Sequence, residues 1–129
     1  MRTLVTLAAA AALSLCAAQA SAQNAYTVKK DVSADQAGVC LTAAIMMQTV
    51  AETMGDGSAK DQELLASTKA VVAGWQNYMN GKGQAFSQAA GQAAARKAGE
   101  YQKALEDESK FQATLQAALG EHATCLGYM

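Results

Sequence analysis

Hydrophobic residues follow two different patterns along this chain. Residues 4–18 are uncharged and rich in alanine and leucine, with no spacing that marks a single face. From residue 33 onward, apolar residues recur at three- and four-residue spacing between polar ones. Because that spacing places side chains on one face of an α-helix, the second part of the chain is predicted to be helical.

Glycines and capping residues divide the helical part into segments. Ser33 followed by Gln36 forms a predicted capping box at the first helix start. The turn Gly55-Asp56-Gly57 ends that helix, and Ser58, or Asp61 slightly later, caps the next one. The predicted helices are A, about 34–54; B, from this cap to residue 80; C, from about residue 84; and D, 110–126.

The break between helices C and D is inferred from the cysteines. No proline and no double glycine separates the two helices, so the pattern alone also allows one long helix. If helices alternate in direction, Cys40 and Cys125 reach the same end only when the number of helices is even. A break is therefore expected at 106–109, where Ser109 with Gln112 forms a second predicted capping box.

The N-terminal apolar segment has the layout of a secretory signal peptide. Arg2 precedes an apolar run of about 15 residues, which is shorter than the roughly 20 needed to span a membrane. Ala20-Ser21-Ala22 supplies small residues for cleavage after Ala22. Residues 1–22 are therefore predicted to direct bacterial Sec-type export to the periplasm or beyond. An N-terminal anchor and a lipoprotein attached through Cys16 are the alternatives.

Cleavage changes what the cysteines predict. The mature chain, Gln23–Met129, loses Cys16 and retains Cys40 and Cys125, and an even pair in an exported protein indicates a disulfide. Residues 23–32 lack periodicity and are predicted to form an extended or mobile lead-in to a single helical domain at 33–129. The predicted fold is all-α, an antiparallel four-helix bundle (up-down-up-down) closed by this disulfide. A bent or irregular helical array is the alternative.

Composition and motifs exclude most chemistry. With 51% hydrophobic and 16% charged residues, the chain is not disordered by composition, and its net charge of -1 gives no basic excess for nucleic acid. One histidine, serines outside any nucleophile motif and no metal-ligand spacing predict a protein that is not an enzyme and has no metal or cofactor. No later segment reaches 18 consecutive apolar residues, so no membrane span is expected after cleavage.

Spacing also predicts which helix faces point inward. Gly91, Ala95 and Gly99 make one side of helix C nearly smooth, where another helix can approach closely. The inner side of helix B is predicted to include Leu64, Leu65, Thr68, Val71, Val72, Trp75, Tyr78 and Met79. The inner side of helix D is predicted to include Phe111, Leu115, Ala118, Leu119, His122 and Cys125.

His122 is the one residue that supports a cofactor hypothesis. If Cys40 and Cys125 are level, His122 lies near Met46 and Met47 of helix A. This layout resembles the periplasmic b-type cytochromes of the four-helix kind, and the resemblance implies haem ligation by His122 with Met46 or Met47. The favoured interpretation is a structural histidine with methionines filling the core.

The expected function is non-covalent binding of another protein. Trp75, Tyr78 and Met79 are the candidate partner contacts, although their spacing favours a place in the core. In size, export signal and cysteine usage the chain resembles periplasmic acid-stress chaperones and immunity proteins. A bundle that binds haem or a small apolar ligand, and an envelope structural protein, are the alternative functions. Sequence leaves the oligomeric state open.

Overall fold

The described part of the chain is helical along most of its length. A computed structural model describes residues 26–129; the predicted signal peptide, its cleavage site, Cys16 and residues 23–25 lie outside the described residues. The helices are α1 (Ala34–Met54), α2 (Ala59–Gly81), α3 (Gln84–Leu105) and α4 (Phe111–Leu126), with a short 3-10 turn at Glu108–Lys110. The predicted four helices, including the break before the last, are confirmed within these residues.

Side-chain caps start the first two helices as expected. Ser33 Oγ accepts the backbone N–H of Gln36 at 3.1 Å, and Ser58 Oγ accepts that of Asp61 at 3.3 Å. Each cap satisfies a donor that the first helical turn leaves without a partner. The Gln36 amide does not reach back, because it lies along the helix, 3.9 Å from Cys40 Sγ.

The capping box predicted at Ser109 is wrong. The Asp107 carboxylate accepts both the backbone N–H of Ser109, at 3.0 Å, and its hydroxyl, at 2.6 Å. The Ser109 side chain is therefore held on the residue before the 3-10 turn and cannot cap a following helix. Helix α4 begins two residues later, at Phe111, without a side-chain cap.

Helix α1 is the centre of the molecule and packs against the other three helices. Its only charged residues are Asp35 and Glu52, near its two ends. The residues between them are mostly buried, which is the pattern of a helix enclosed by protein rather than one with a solvent face. Helix α1 is also long and apolar enough to cross a membrane, since an 18-residue stretch of it has a mean hydropathy of 1.3. Half of that stretch is buried in the protein.

The closest helix contact is between α1 and α3. A Cβ placed on Gly38 would lie 2.3 Å from the Ala90 carbonyl oxygen and 2.8 Å from the Ala93 Cβ. The smooth side predicted for helix C is therefore the wrong side, since a Cβ added at Gly91 or Gly99 would meet nothing within 4 Å beyond the adjoining backbone of its own helix. Adjacent helix positions differ by about 100° around the axis, so a shift of one residue moves the contact to another side of the helix.

Cys40 and Cys125 form the predicted disulfide, with Cα atoms 5.5 Å apart. It joins the beginning of α1 to the end of α4. Both cysteines are fully buried in the larger core cluster, which also contains Val71 and Trp75 of α2 and Ala90 of α3. The disulfide thus crosses the interior at the position where all four helices meet.

Residues 26–32 form an extended strap across α2. The Tyr26 hydroxyl lies 3.0 Å from Ser67 Oγ. The backbone carbonyl oxygen of Tyr26 would be 2.6 Å from a Cβ placed on Gly74. The backbone N–H groups of Lys29 and Lys30 donate to the Tyr128 carbonyl at 2.7 and 3.2 Å. The strap therefore ties the start of the domain to the end of the chain.

Candidate functional site

The predicted partner contacts on α2 lie mainly in the core. Trp75 is completely buried, and its ring packs edge-to-face against Tyr78 and Tyr128, with centroids 6.0 and 6.4 Å away. Met79 is buried as well, whereas Tyr78 is partly buried. The Tyr78 hydroxyl accepts the backbone N–H of Val32 at 3.0 Å and lies 3.2 Å from the Asp31 carboxylate. These side chains hold the strap in place.

His122 lies on the inner side of α4, with 9% of its surface exposed. Its Nδ1 is buried and has no hydrogen-bond partner within the described residues. Burial lowers the pKa of this imidazole below its usual 6.5, because the charged form is separated from water. The neutral form is therefore favoured in the folded protein.

Met46 is packed within the second, smaller core cluster. It shares that cluster with Tyr101, Leu105 and Ala118, and Met47 packs partly buried at its edge. Ala118 lies one turn before His122 on α4, so the candidate haem ligands belong to neighbouring parts of the interior. Ligation by Met46 would require displacement of the side chains that surround it. Within residues 26–129, no group of His, Cys, Asp or Glu is arranged to hold a metal ion.

A polar cluster joins α3 to α4. Lys97 Nζ lies 2.8 Å from a Glu121 carboxylate oxygen and 5.1 Å from the centre of the Tyr101 ring. The Tyr101 hydroxyl donates to Glu121. Burial, together with this carboxylate, raises the pKa of Tyr101, and the hydrogen bond from Lys97 to Glu121 raises the pKa of Lys97. Each of the three side chains contacts the other two, so the cluster holds α4 against α3.

Several large apolar side chains remain exposed. Spacing predicts that Phe111, Leu119 and Leu64 face inward, and the structure contradicts this. The buried side of α4 is a narrow arc that contains Thr114, Ala118, His122 and Cys125. The exposed fractions are 65% for Met54, 53% for Leu64, 40% for Phe111, 56% for Leu119 and 38% for Leu126.

Three of these residues lie at the same end of the molecule. Met54 follows Cys40 by fourteen residues on α1, and Phe111 precedes Cys125 by fourteen residues on α4. Met46 and Ala118, at intermediate positions, share one cluster, so the later part of α1 and the earlier part of α4 both extend from the disulfide to this end. Fourteen residues of α-helix correspond to about 21 Å. A Cβ placed on Gly55, which follows Met54, would lie 3.2 Å from the Asp61 carboxylate. Leu64 lies one turn after Asp61 on α2, so it is at this end as well.

Carboxylates are concentrated at this end. The two connections located there, α1 to α2 and α3 to α4, and the helix turns next to them carry seven of the eleven acidic residues of the described chain. We define the acidic end as the exposed apolar residues Met54, Leu64 and Phe111 together with the exposed acidic residues Glu52, Asp56, Glu63, Glu106, Asp107 and Glu108. The acid run at 106–108 is visible in the sequence, but only the packing places it beside exposed apolar side chains.

No protein-family model matches this chain, and comparisons with curated proteins and with solved structures find no match.

Proposed function

We propose that this chain is a small exported protein, located in the periplasm, that acts by binding another protein without catalysis, as immunity-type and stress-chaperone-type proteins do. The observation that carries this proposal is the group of exposed apolar side chains. Two of them, Leu119 and Leu126, lie on α4 outside the acidic end, where the single acidic residue, Glu121, is already bonded to Lys97. Exposed apolar surface without charge is typical of protein interaction sites.

We propose that the four helices form a rigid bundle, which suits a binding protein. The chain would form an antiparallel, up-down-up-down bundle closed by the disulfide, after removal of residues 1–22. Support comes from the contacts along α1. Cys125 and Ala118 of α4 meet it in reverse order of sequence, and Gly55 lies beside Asp61 at the start of α2.

Site-directed photo-crosslinking in the native cell tests the binding function. A photoreactive residue replaces Leu119, and the matched control replaces Gln88, an exposed polar residue of α3. We expect protein adducts at Leu119 well above those at Gln88. A single discrete adduct would support the immunity type, and many adducts the chaperone type. Equal crosslinking at both positions would contradict the proposal.

Binding of a small ligand is the second candidate, and one observation favours it. His122 Nδ1 is a buried nitrogen without a hydrogen-bond partner in the described chain, which is a position where a ligand would gain a bond. Haem addition to the purified protein tests the specific form of this idea. A Soret band that disappears in His122→Ala would support it, and no Soret band would remove it.

A further inference from the structure

We infer that the acidic end binds a basic amphipathic helix of a protein partner. This inference rests on the binding function proposed above and specifies the class of partner. It combines two independent features of the same end of the molecule: exposed apolar side chains from three helices, and an excess of carboxylates. The apolar side chains are exposed, so the core of the described chain does not enclose them.

The apolar side chains are suited to anchoring a helix. Met54, Leu64 and Phe111 come from three different helices and lie at the same end of α1. An amphipathic helix is held by anchors at three- and four-residue spacing that insert into an apolar surface. Methionine is flexible and adapts to varied side chains, whereas phenylalanine supplies a large rigid contact area.

The charge distribution selects the sign of the partner. The acidic end and its adjoining turns hold seven carboxylates, counting Asp61, against the three ammonium groups of Lys60, Lys103 and Lys110. The rest of the described chain has four carboxylates against six basic groups, so the negative excess is local. Hydrogen bonds from the hydroxyl and backbone N–H of Ser109 lower the pKa of Asp107, which keeps it charged well into the acid range.

Other occupants fit this surface less well. An anionic membrane surface and the same end of a second copy would both be repelled by the carboxylates. The opposite end of a second copy offers Lys29, Lys30 and Lys82, but Leu126 is the one large exposed apolar side chain of the described chain near it. A helix with leucines on one side and lysines on the other matches both features.

Fluorescence anisotropy with the disulfide-bonded mature protein tests this inference. The probe is a labelled helical peptide of leucine and lysine, about five turns long, and its partner peptide has glutamate in place of every lysine. We expect the basic peptide to bind and the acidic peptide not to bind. Raising the ionic strength from about 0.01 M to about 0.15 M shortens the Debye length from about 30 Å to about 8 Å, and should weaken binding about tenfold or more.

Variants locate the binding surface. The pair Glu106→Gln and Glu108→Gln should weaken binding about fivefold, and Leu64→Gln with Phe111→Gln about tenfold. The controls are Asp35→Asn, an exposed carboxylate on another part of α1, and Ala95→Gln, an exposed apolar residue of α3 outside the acidic end. Both controls should bind as the unmodified protein does. Circular dichroism checks that every variant remains folded.

Several outcomes would overturn the inference. Equal binding of both peptides would show that charge does not select the partner, and equal losses in controls and test variants would place binding elsewhere. Sedimentation that shows self-association blocked by the Glu106 and Glu108 substitutions would identify a second copy as the occupant. If no peptide binds, the inference fails, whereas the crosslinking at Leu119 separately decides whether the chain binds proteins at all.

Discussion

Gly38 of α1 and Ala90 of α3 approach so closely that no side chain fits between them. A Cβ on Gly38 would lie 2.3 Å from the Ala90 carbonyl oxygen and 2.8 Å from the Ala94 backbone nitrogen. Backbone atoms cannot move aside as the end of a flexible side chain can. The Thr42 hydroxyl, one turn later, lies 3.1 Å from the Ala94 carbonyl and continues the same contact. The two helices can lie this close together because Gly38 has no side chain.

Gly38→Ala should destabilise the fold. The added methyl group forces α1 and α3 apart, and overpacking of this kind costs about 1–3 kcal/mol. Denaturant unfolding followed by circular dichroism measures the change in the free energy of unfolding. Gly91→Ala is the matched control, since it lies on the open side of α3, and it should stabilise the protein by about 0.5–1 kcal/mol. Similar losses in both variants would contradict the close contact.

Removal of the disulfide should lower stability substantially. Cys40→Ser with Cys125→Ser removes a crosslink between residues 85 positions apart, and loss of a native disulfide from a small exported domain costs about 2–5 kcal/mol. Denaturant unfolding compares the variant with the oxidised protein. Because both cysteines are buried, reduction should require partial unfolding and proceed slowly without denaturant. Rapid reduction of the folded protein would contradict this burial.

Export should produce a defined mass. If residues 1–22 are removed and the disulfide forms, the purified exported protein begins at Gln23 and contains no alkylatable thiol. Intact-mass spectrometry with and without reduction measures both features in one sample. A mass that includes Met1, or two thiols alkylated without reduction, would contradict the expected processing.

The stability of the fold should decrease as the pH falls below about 6.5. Burial lowers the pKa of His122 in the folded protein, so the unfolded chain takes up a proton first. The stabilisation is complete above the unfolded pKa of 6.5 and is lost as the pH falls from there through the lowered folded value. Urea midpoints measured between about pH 8 and about pH 5 follow this loss.

His122→Gln isolates that effect. The urea midpoint of this variant should depend less on pH over the same range, whatever its stability at the alkaline end. Below pH 3.8 both proteins should lose further stability, because hydrogen bonds to the charged form lower the pKa of Asp107 and of Asp31. An unchanged slope near neutral pH in the variant would show that His122 is not the group responsible.

The strap should loosen when the Tyr78 hydroxyl is removed. Tyr78→Phe deletes the acceptor of the Val32 backbone N–H, and a lost bond of this kind costs about 0.5–1.5 kcal/mol. Hydrogen exchange of the Lys29 and Lys30 amides, which donate to Tyr128, measures the local effect and should accelerate. Thr124→Val, which removes an exposed hydroxyl bonded within α4, should leave these amides unchanged. Equal exchange in Tyr78→Phe and the unmodified protein would contradict the role of Tyr78.

Local signals of the sequence are sufficient for the helices and the disulfide. Ser33 and Ser58 cap their helices because a hydroxyl just before a helix start needs only its neighbours to find a donor. The break before α4 follows from the need to bring Cys40 and Cys125 together. Local signals do not predict the role of Ser109 correctly, because the carboxylate of Asp107, two residues earlier, binds the same hydroxyl.

Helix faces are less predictable than helix positions. Apolar residues occupy more than one side of α4, and periodicity alone cannot tell which arc a neighbouring helix will cover. Spacing places Leu119 in the interior, yet it is exposed, whereas Thr114, on the other side of the arc, is buried. The same limit applies to α3, where small residues are present on several sides and Gly38 contacts only one of them.

The sequence by itself determined the number of helices, their approximate bounds and the pairing of the cysteines, because each depends on spacing and on neighbours along the chain. Tertiary structure decided what α1 contacts, which apolar residues remain exposed, and that Met54 and Phe111 lie at one end beside the carboxylates. Those properties depend on how helices distant in sequence rotate against one another. A rotation of about 100° costs no local helix propensity but exchanges buried and exposed side chains.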